Sequence, residues 1–176
     1  LLKLIQAEMD LRLASIDGGM KRNSIPNNAT ALIAIPGEKR GDVQRIISDF
    51  VDELGRTNPE DPTITGLLSL EKAEKVQATL SPVDGNPDGV LTKDFHDRLL
   101  DAIDALPTGP FTAAELPNVG KLVTLSNNLG VISTQGGTVK IQSMARSANI
   151  EALREKLREL GNIFRSHGAE VKTEEP

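Results

Sequence analysis

The sequence predicts an α+β fold, a two-layer sandwich in which helices cover one face of an antiparallel sheet. Short segments of alternating apolar residues predict strands, longer segments with apolar residues three and four apart predict helices, and two Gly-Gly pairs predict turns. Each predicted helix has one apolar stripe, so a helical layer on one sheet face buries both sets of apolar side chains. The other face, or an edge, is then free to pair with another copy or another domain.

In the first half of the chain, the sequence predicts a helix, a pair of strands and a second helix, in that order. The opening LLKLIQAEMD is typical of the middle of a helix in a longer polypeptide, and Gly18-Gly19 stands where the first strand turns. Apolar residues from Val43 to Leu54 fall at the i, i+3, i+4, i+7 spacing of one helical face. In order, we predict strands at 11–16 and 29–35, a helix at 41–56, a strand at 63–73 and an exposed, turn-rich loop at 81–89.

The second half repeats this order of elements. Thr92 can cap a helix, Gly136-Gly137 is a recognisable hairpin turn, and Gly168 suits a helix C-terminus. In order, we predict a helix at 92–106, a hairpin within 121–146, a helix at 149–168 and a strand at 169–174.

Length and composition fit one globular domain. The 176 residues are 38% hydrophobic and 26% charged, which is enough apolar material for a core. We treat 1–176 as a single domain of ferredoxin-like elements, with a weak internal duplication of a β-β-α-β unit. The two halves would be 1–80 and 90–176, joined by the exposed loop 81–89.

Charge and residue usage exclude several classes of protein. The net charge of −5 and the 2% aromatic content argue against nucleic acid as a partner, since binding it needs a basic face and stacking rings. The absence of cysteine removes disulfides and thiolate metal sites. The absence of cysteine also fits a cytoplasmic protein, and since no apolar run reaches the roughly 18 residues of a membrane helix, we expect no membrane partner.

The residues alone predict no active site of the chain's own. His96 and His167 are far apart in sequence, and we interpret the first as a solvated helix residue and the second as a residue of a last helical turn. Four carboxylates recur at helical spacing around Arg98, which is typical of a solvated helix face rather than of a metal cluster. These carboxylates are Asp94, Asp97, Asp101 and Asp104. We therefore predict no catalytic residue and no metal ligand in these residues.

Three stretches, in order, resemble a known family of peptidases. MDLRLASIDGGMKRNSIPNNATALIAI has a strand, a Gly-Gly turn, an Arg-Asn-x-Ile-Pro step and a second strand. LPTGPFTAAELPNVGKLVTLSNNLGVI runs from a Pro-x-Gly turn to a Ser-x-Asn-x-Gly strand, formed by Ser126, Asn128 and Gly130. VKIQSMARSANIEALREKLRELGNIFRSHGAEV has a strand ending in Arg-Ser and a following helix. Together they resemble the lid, or dimerisation, domain of the aminoacyl-histidine (Xaa-His) dipeptidases, which are dizinc exopeptidases.

The resemblance implies that 1–176 is the lid/dimerisation domain of a larger metallo-dipeptidase. Two zinc ions would be held by a separate catalytic domain of the same polypeptide, where a carboxylate activates the bridging water. The implied partners are a second copy, in a homodimer, and a dipeptide substrate. The isolated fragment is then expected to be inactive.

The resemblance also implies two substrate-binding residues. Asn23, in the Arg-Asn-x-Ile-Pro step, and Arg146, at the end of the late strand, would hold the backbone and terminal carboxylate of the substrate. The residues alone allow a structural interpretation, in which Asn23 serves a turn and Arg146 is solvated at a strand end. A different class of function also stays open, namely a free-standing α+β interaction or small-molecule regulatory domain without catalysis.

Overall fold

The computed structural model describes residues 1–56, 76–84, 89–118 and 120–174. In this part of the chain, five antiparallel strands and four α-helices confirm the predicted α+β class. The strand order is β2-β1-β4-β3, and β5 also pairs with β4. The elements are α1 Leu2–Glu8, β1 Arg12–Gly18, β2 Ala29–Ala34, α2 Arg40–Arg56, α3 Lys93–Ala105, β3 Gly109–Leu116, β4 Gly120–Gln135, β5 Thr138–Ser147 and α4 Ile150–Ser166, with a 3-10 turn at Gly37–Lys39.

The chain divides into two compact units. The first comprises Leu1–Ala14 and Leu32–Thr92, and the second comprises Ser15–Ala31 and Lys93–Pro176. The boundary therefore falls within β1 and β2. The division into halves at the 81–89 loop stays a prediction.

The core of the first unit is aliphatic. It combines one apolar residue of α1 and one at the start of β1 with the buried face of α2, as the helical spacing predicts. The backbone of Leu13, fully buried in β1, accepts a 2.8 Å hydrogen bond from the amide of Leu91. The buried cluster consists of Ile5, Leu11, Val43, Ile46 and Ile47.

The sheet of the second unit is organised around β4. Its first part pairs with β3, from Gly109 opposite Asn127 onwards, and its second part pairs with β5 up to Gln135 opposite Thr138. The predicted Gly136-Gly137 turn is confirmed, since both glycines have positive φ, 54° and 77°. Helix α4 packs on β5, and α3 packs on α4. Asn149 caps α4 by accepting hydrogen bonds from the amides of Glu151 and Ala152.

The strand predicted at 169–174 is wrong. Gly168 ends α4 with φ 80° and donates its amide hydrogen to the Arg165 carbonyl, as the sequence predicts, but the following residues join no ladder. Val171 is the only large apolar side chain in this segment, and it is only partly buried. One such side chain gives too little burial to hold the segment on a sheet.

Strand β3 is not among the strands predicted from the sequence, because proline within a segment argues against a strand. Pro110 lies inside the strand, and an irregularity in register follows it between Pro110 and Thr112. Proline is tolerated in a strand at an edge or a bulge, where its lack of an amide hydrogen costs no ladder bond. The strand predicted at 63–73 lies outside the described residues. Of the loop predicted at 81–89, residues 81–84 are exposed and lack regular structure, whereas 85–88 also lie outside.

The interpretation of His96 as a solvated residue is also wrong. Its side chain is fully buried in α3, at 0% exposure. The buried surface of α3 includes Leu99, Leu100 and Ala102, so it is wider than the single stripe used for the prediction. Helix α4 packs against α3.

Candidate functional site

The connection between β1 and β2, residues 19–28, carries the first predicted site residue. Gly19 has φ 69°, and its amide hydrogen bonds to the carbonyl of Asn28 at 3.3 Å, which closes the base of the loop. Residues 20–28 are all exposed, and Asn23 lies among them. We refer to residues 19–28 as the 19–28 loop.

Strand β4 holds this loop through Asn128. The Nδ2 of Asn128 donates hydrogen bonds to the carbonyl of Arg22 at 3.0 Å and to that of Ser24 at 2.8 Å. These two carbonyls flank Asn23 in sequence. The Asn of the Ser-x-Asn-x-Gly stretch therefore binds the backbone of the Arg-Asn-x-Ile-Pro step.

Two glycines allow the loop to approach the strand this closely. A Cβ on Gly130 would lie 2.4 Å from both Cα and O of Arg22, and a Cβ on Gly19 would lie 2.0 Å from the Gly130 carbonyl oxygen. Real Cβ atoms essentially never come within 3.0 Å of such atoms. Both positions therefore require glycine for the observed contact.

Arg146, the second predicted site residue, lies on the same face of the sheet as this loop. In the β4–β5 pairing, Arg146 is opposite Ser126 and Met144 is opposite Asn128. Directly paired residues project their side chains to one face, and residues two apart in a strand do the same. The side chain of Arg146 is exposed. Asn128 thus binds the loop that carries Asn23 and lies on the same face of the sheet as Arg146.

The neighbouring Asn127 has the opposite orientation and a structural role. It is only 2% exposed, its Nδ2 donates to the carbonyl of Pro107 at 2.8 Å, and its Oδ1 accepts from the hydroxyl of Ser143 at 2.6 Å. Buried amides are costly unless they are paired in this way. Consecutive asparagines therefore serve different faces of β4, with Asn127 holding the core and Asn128 holding the loop.

The basic residues of the loop lie at the surface. Lys21 and Arg22 are exposed, and the Arg22 guanidinium forms an ion pair with Glu174. The hydrogen bond from Arg22, followed by its charge, holds the pKa of Glu174 below its ordinary value. The contact is therefore kept above that lowered pKa and is lost as the pH falls through it. Because both side chains are more than half exposed, the pair contributes little to folding.

The histidines and acidic residues singled out in the sequence have structural surroundings. Asp94 pairs with Arg98 at 2.8 Å and Asp97 pairs with Lys93, as on a solvated helix face. His167 follows the last turn of α4, and its Nδ1 is hydrogen-bonded to the Ile163 carbonyl at 2.7 Å. Within the described residues, no three His, Cys, Asp or Glu side chains come together in a way that could hold a metal ion. In the same residues, no helix is long and apolar enough to span a membrane.

Comparison with known proteins points to the family that the sequence resembles. The family model described as Peptidase dimerisation domain matches residues 1–62. The chain is 26% identical over 140 residues to the cytosol non-specific dipeptidase of Escherichia coli K12, a match that covers 80% of this chain and 26% of that protein. The crystal structure of aminoacylhistidine dipeptidase from Vibrio alginolyticus has a similar fold, with a TM-score of 0.78, 24% identity, and coverage of 94% of this chain and 31% of that one. The resemblance is thereby confirmed, and the chain spans less than a third of either relative.

Proposed function

We propose that this chain is the lid and dimerisation domain of a zinc-dependent aminoacyl-histidine dipeptidase, in which it contributes substrate-carboxylate contacts and the dimer interface. The observation that carries the proposal is the position of Asn23 beside the Asn128 anchor, on the sheet face from which Arg146 projects. The match of residues 1–62 to a peptidase dimerisation domain supports it, as do two relatives that are dipeptidases.

Arg146 is suited to bind the terminal carboxylate of a dipeptide. Its planar guanidinium can donate two parallel hydrogen bonds to one carboxylate. The side chain is exposed on the face that carries the 19–28 loop. It can therefore reach a ligand held by a facing domain.

Asn23 is suited to bind the peptide backbone of the same substrate. Its amide supplies both a donor and an acceptor without adding charge, which matches the N–H and C=O of a peptide unit. It is exposed in the 19–28 loop, and the carbonyls on either side of it are occupied by Asn128. The backbone is thus fixed while the side chain stays available to a ligand.

The hydrolytic chemistry would belong to the catalytic domain of the same polypeptide. There, two zinc ions would polarise the scissile carbonyl and activate a bridging water. The residues of the present chain bind and orient the substrate. The name of the Escherichia coli relative includes the cytosol, which agrees with a cytoplasmic location.

The first test is the activity of the full-length polypeptide that contains this chain. We expect it to hydrolyse Xaa-His dipeptides, to lose activity after treatment with a chelator and to regain it with Zn²⁺. The isolated 176-residue chain should be inactive under the same conditions, which provides the control. A zinc-loaded, folded full-length protein that hydrolyses no dipeptide would contradict the proposal.

The second test concerns the homodimer. Among the described strands, β5 pairs only with β4, so its other edge is open to a strand or helix of a second copy. A two-fold dimer is the commonest closed solution for such a surface. Sedimentation velocity of the full-length protein at tens of micromolar is expected to show a dimer. A monomer at that concentration would remove dimerisation from the proposal.

A further inference from the structure

We infer that Asn128 is a positioning residue, which fixes the 19–28 loop so that Asn23 is presented to the substrate. The inference rests on the proposed substrate role of Asn23 and assigns a task to a residue for which the resemblance implied none. A side-chain amide nitrogen carries two hydrogens, and those of Asn128 are directed at the carbonyls of Arg22 and Ser24. The two bonds span Asn23 from both sides.

Few interactions within the 19–28 loop itself fix its conformation. Among the described residues, two backbone hydrogen bonds lie inside it, from Ser24 to the Lys21 carbonyl at 3.1 Å and from Gly19 to the Asn28 carbonyl at 3.3 Å. Residues 20–28 are exposed, so little apolar burial holds them. A loop with exposed residues and few hydrogen bonds opens easily. The bonds from Asn128, together with the exposed ion pair between Arg22 and Glu174, therefore account for a large part of the order around Asn23.

Gly130 also helps to fix the 19–28 loop on β4. It is buried under the loop, and the absence of a side chain lets the backbone of Arg22 rest on the strand within reach of Asn128. The β4–β5 register shifts at Gly130, between Leu129 and Val131, and yet both residues face the loop: Asn128 donates to the Arg22 carbonyl, and a Cβ on Gly130 would meet the Arg22 backbone. The Asn and Gly of the Ser-x-Asn-x-Gly stretch thus act as a pair, in which the glycine makes room for the backbone and the asparagine binds it.

Asn127 offers a matched comparison for the same substitution. An Asn→Asp change keeps the shape of the side chain and removes the donor, and the new carboxylate oxygen repels a carbonyl that was bound. At Asn128 this change acts on two loop carbonyls, whereas at the buried Asn127 it acts on the carbonyl of Pro107. Asn128→Asp should therefore disturb the 19–28 loop, whereas Asn127→Asp should disturb the core.

The experiment measures kcat/KM, the melting temperature and amide hydrogen exchange in the zinc-loaded full-length enzyme. We expect Asn128→Asp to lower kcat/KM about tenfold, to speed exchange of the Ser24 amide, and to leave the melting temperature nearly unchanged. Asn127→Asp should lower the melting temperature while kcat/KM, measured well below that temperature, stays within about twofold. Unchanged exchange and activity in Asn128→Asp would overturn the inference.

A double-mutant cycle separates positioning from general damage. If Asn128 acts through Asn23, Asn128→Asp should cost less than about twofold further in a variant that already carries Asn23→Ala. An equal loss in both backgrounds would mean that Asn128 acts by another route, and would overturn the inference while leaving the proposed function intact. If Asn23→Ala alone leaves kcat/KM unchanged, the proposed role of Asn23 fails, and the positioning role fails with it.

Discussion

Replacement of Arg146 by alanine in the full-length enzyme is expected to lower kcat/KM for dipeptides by one to two orders of magnitude. A hydrogen bond to a charged group contributes roughly 1.5–3 kcal/mol, and a substrate carboxylate left unpaired in a closed site loses at least that much. The change should leave folding nearly intact because Arg146 is exposed. Steady-state kinetics on the zinc-loaded variant, with its melting temperature and metal content, measure the effect.

Lysine at the same position serves as the graded control. Arg146→Lys keeps the charge but cannot form the bidentate contact of the planar fork, so it should recover only part of the lost kcat/KM. Arg12 is unsuitable for comparison because it is paired with Asp10. Arg154, exposed on α4, provides the matched control, and Arg154→Ala should leave kcat/KM within about twofold. A loss of less than about threefold on Arg146→Ala would remove this residue from the substrate site.

Substitution of Gly130 by alanine is the second change with a large expected effect. The added Cβ would meet the Cα and carbonyl oxygen of Arg22 at 2.4 Å, and both are backbone atoms that cannot turn aside. Either the strand or the 19–28 loop must move, and overpacking of this kind typically costs about 1–3 kcal/mol. Denaturant unfolding should show that loss of stability. If the loop moves, kcat/KM should fall as well.

Gly41 is the control for the alanine substitution itself. It lies in α2, and no atom of the described residues would come within 4 Å of a Cβ added there, so Gly41→Ala should stabilise the protein by about 0.5–1 kcal/mol. The change from glycine to alanine is thus expected to lower the stability of the protein at position 130 and to raise it at position 41. Equal stability of Gly130→Ala and the wild type would show that the loop does not rest on the strand in solution.

Much of the fold follows from periodicity that can be read locally. The helix predicted at 41–56 and the Gly136-Gly137 turn are confirmed, because each is encoded by residues close together in sequence. Strand β3 could not be found in this way, since prolines obscure it and its pairing with β4 is what makes it a strand. The burial of His96 does not follow from the pattern of its own helix, because burial of a second side of a helix depends on tertiary packing.

The candidate site depends on tertiary contacts to a greater extent. Asn23 and Arg146 were predicted from a resemblance rather than from any pattern in the residues, and their substrate roles stay predictions. The task of Asn128 could not be predicted at all, since it contacts carbonyls more than one hundred positions away in sequence. The spacing of Asn128 and Gly130 gives no local signal either, because the β4–β5 register shifts between Leu129 and Val131 and interrupts the two-residue alternation of the strand.

A dipeptide amidated at its C-terminus lacks only the carboxylate that Arg146 is proposed to bind, so it tests that contact separately from the rest of the substrate. The kcat/KM values of the wild type and Arg146→Ala are measured on a dipeptide with a free carboxylate and on the same dipeptide amidated at that group. We expect the wild type to prefer the free acid by about one to two orders of magnitude and Arg146→Ala to lose most of this preference. If Arg146→Ala lowers kcat/KM by the same factor on the amide and on the free acid, Arg146 does not bind the carboxylate.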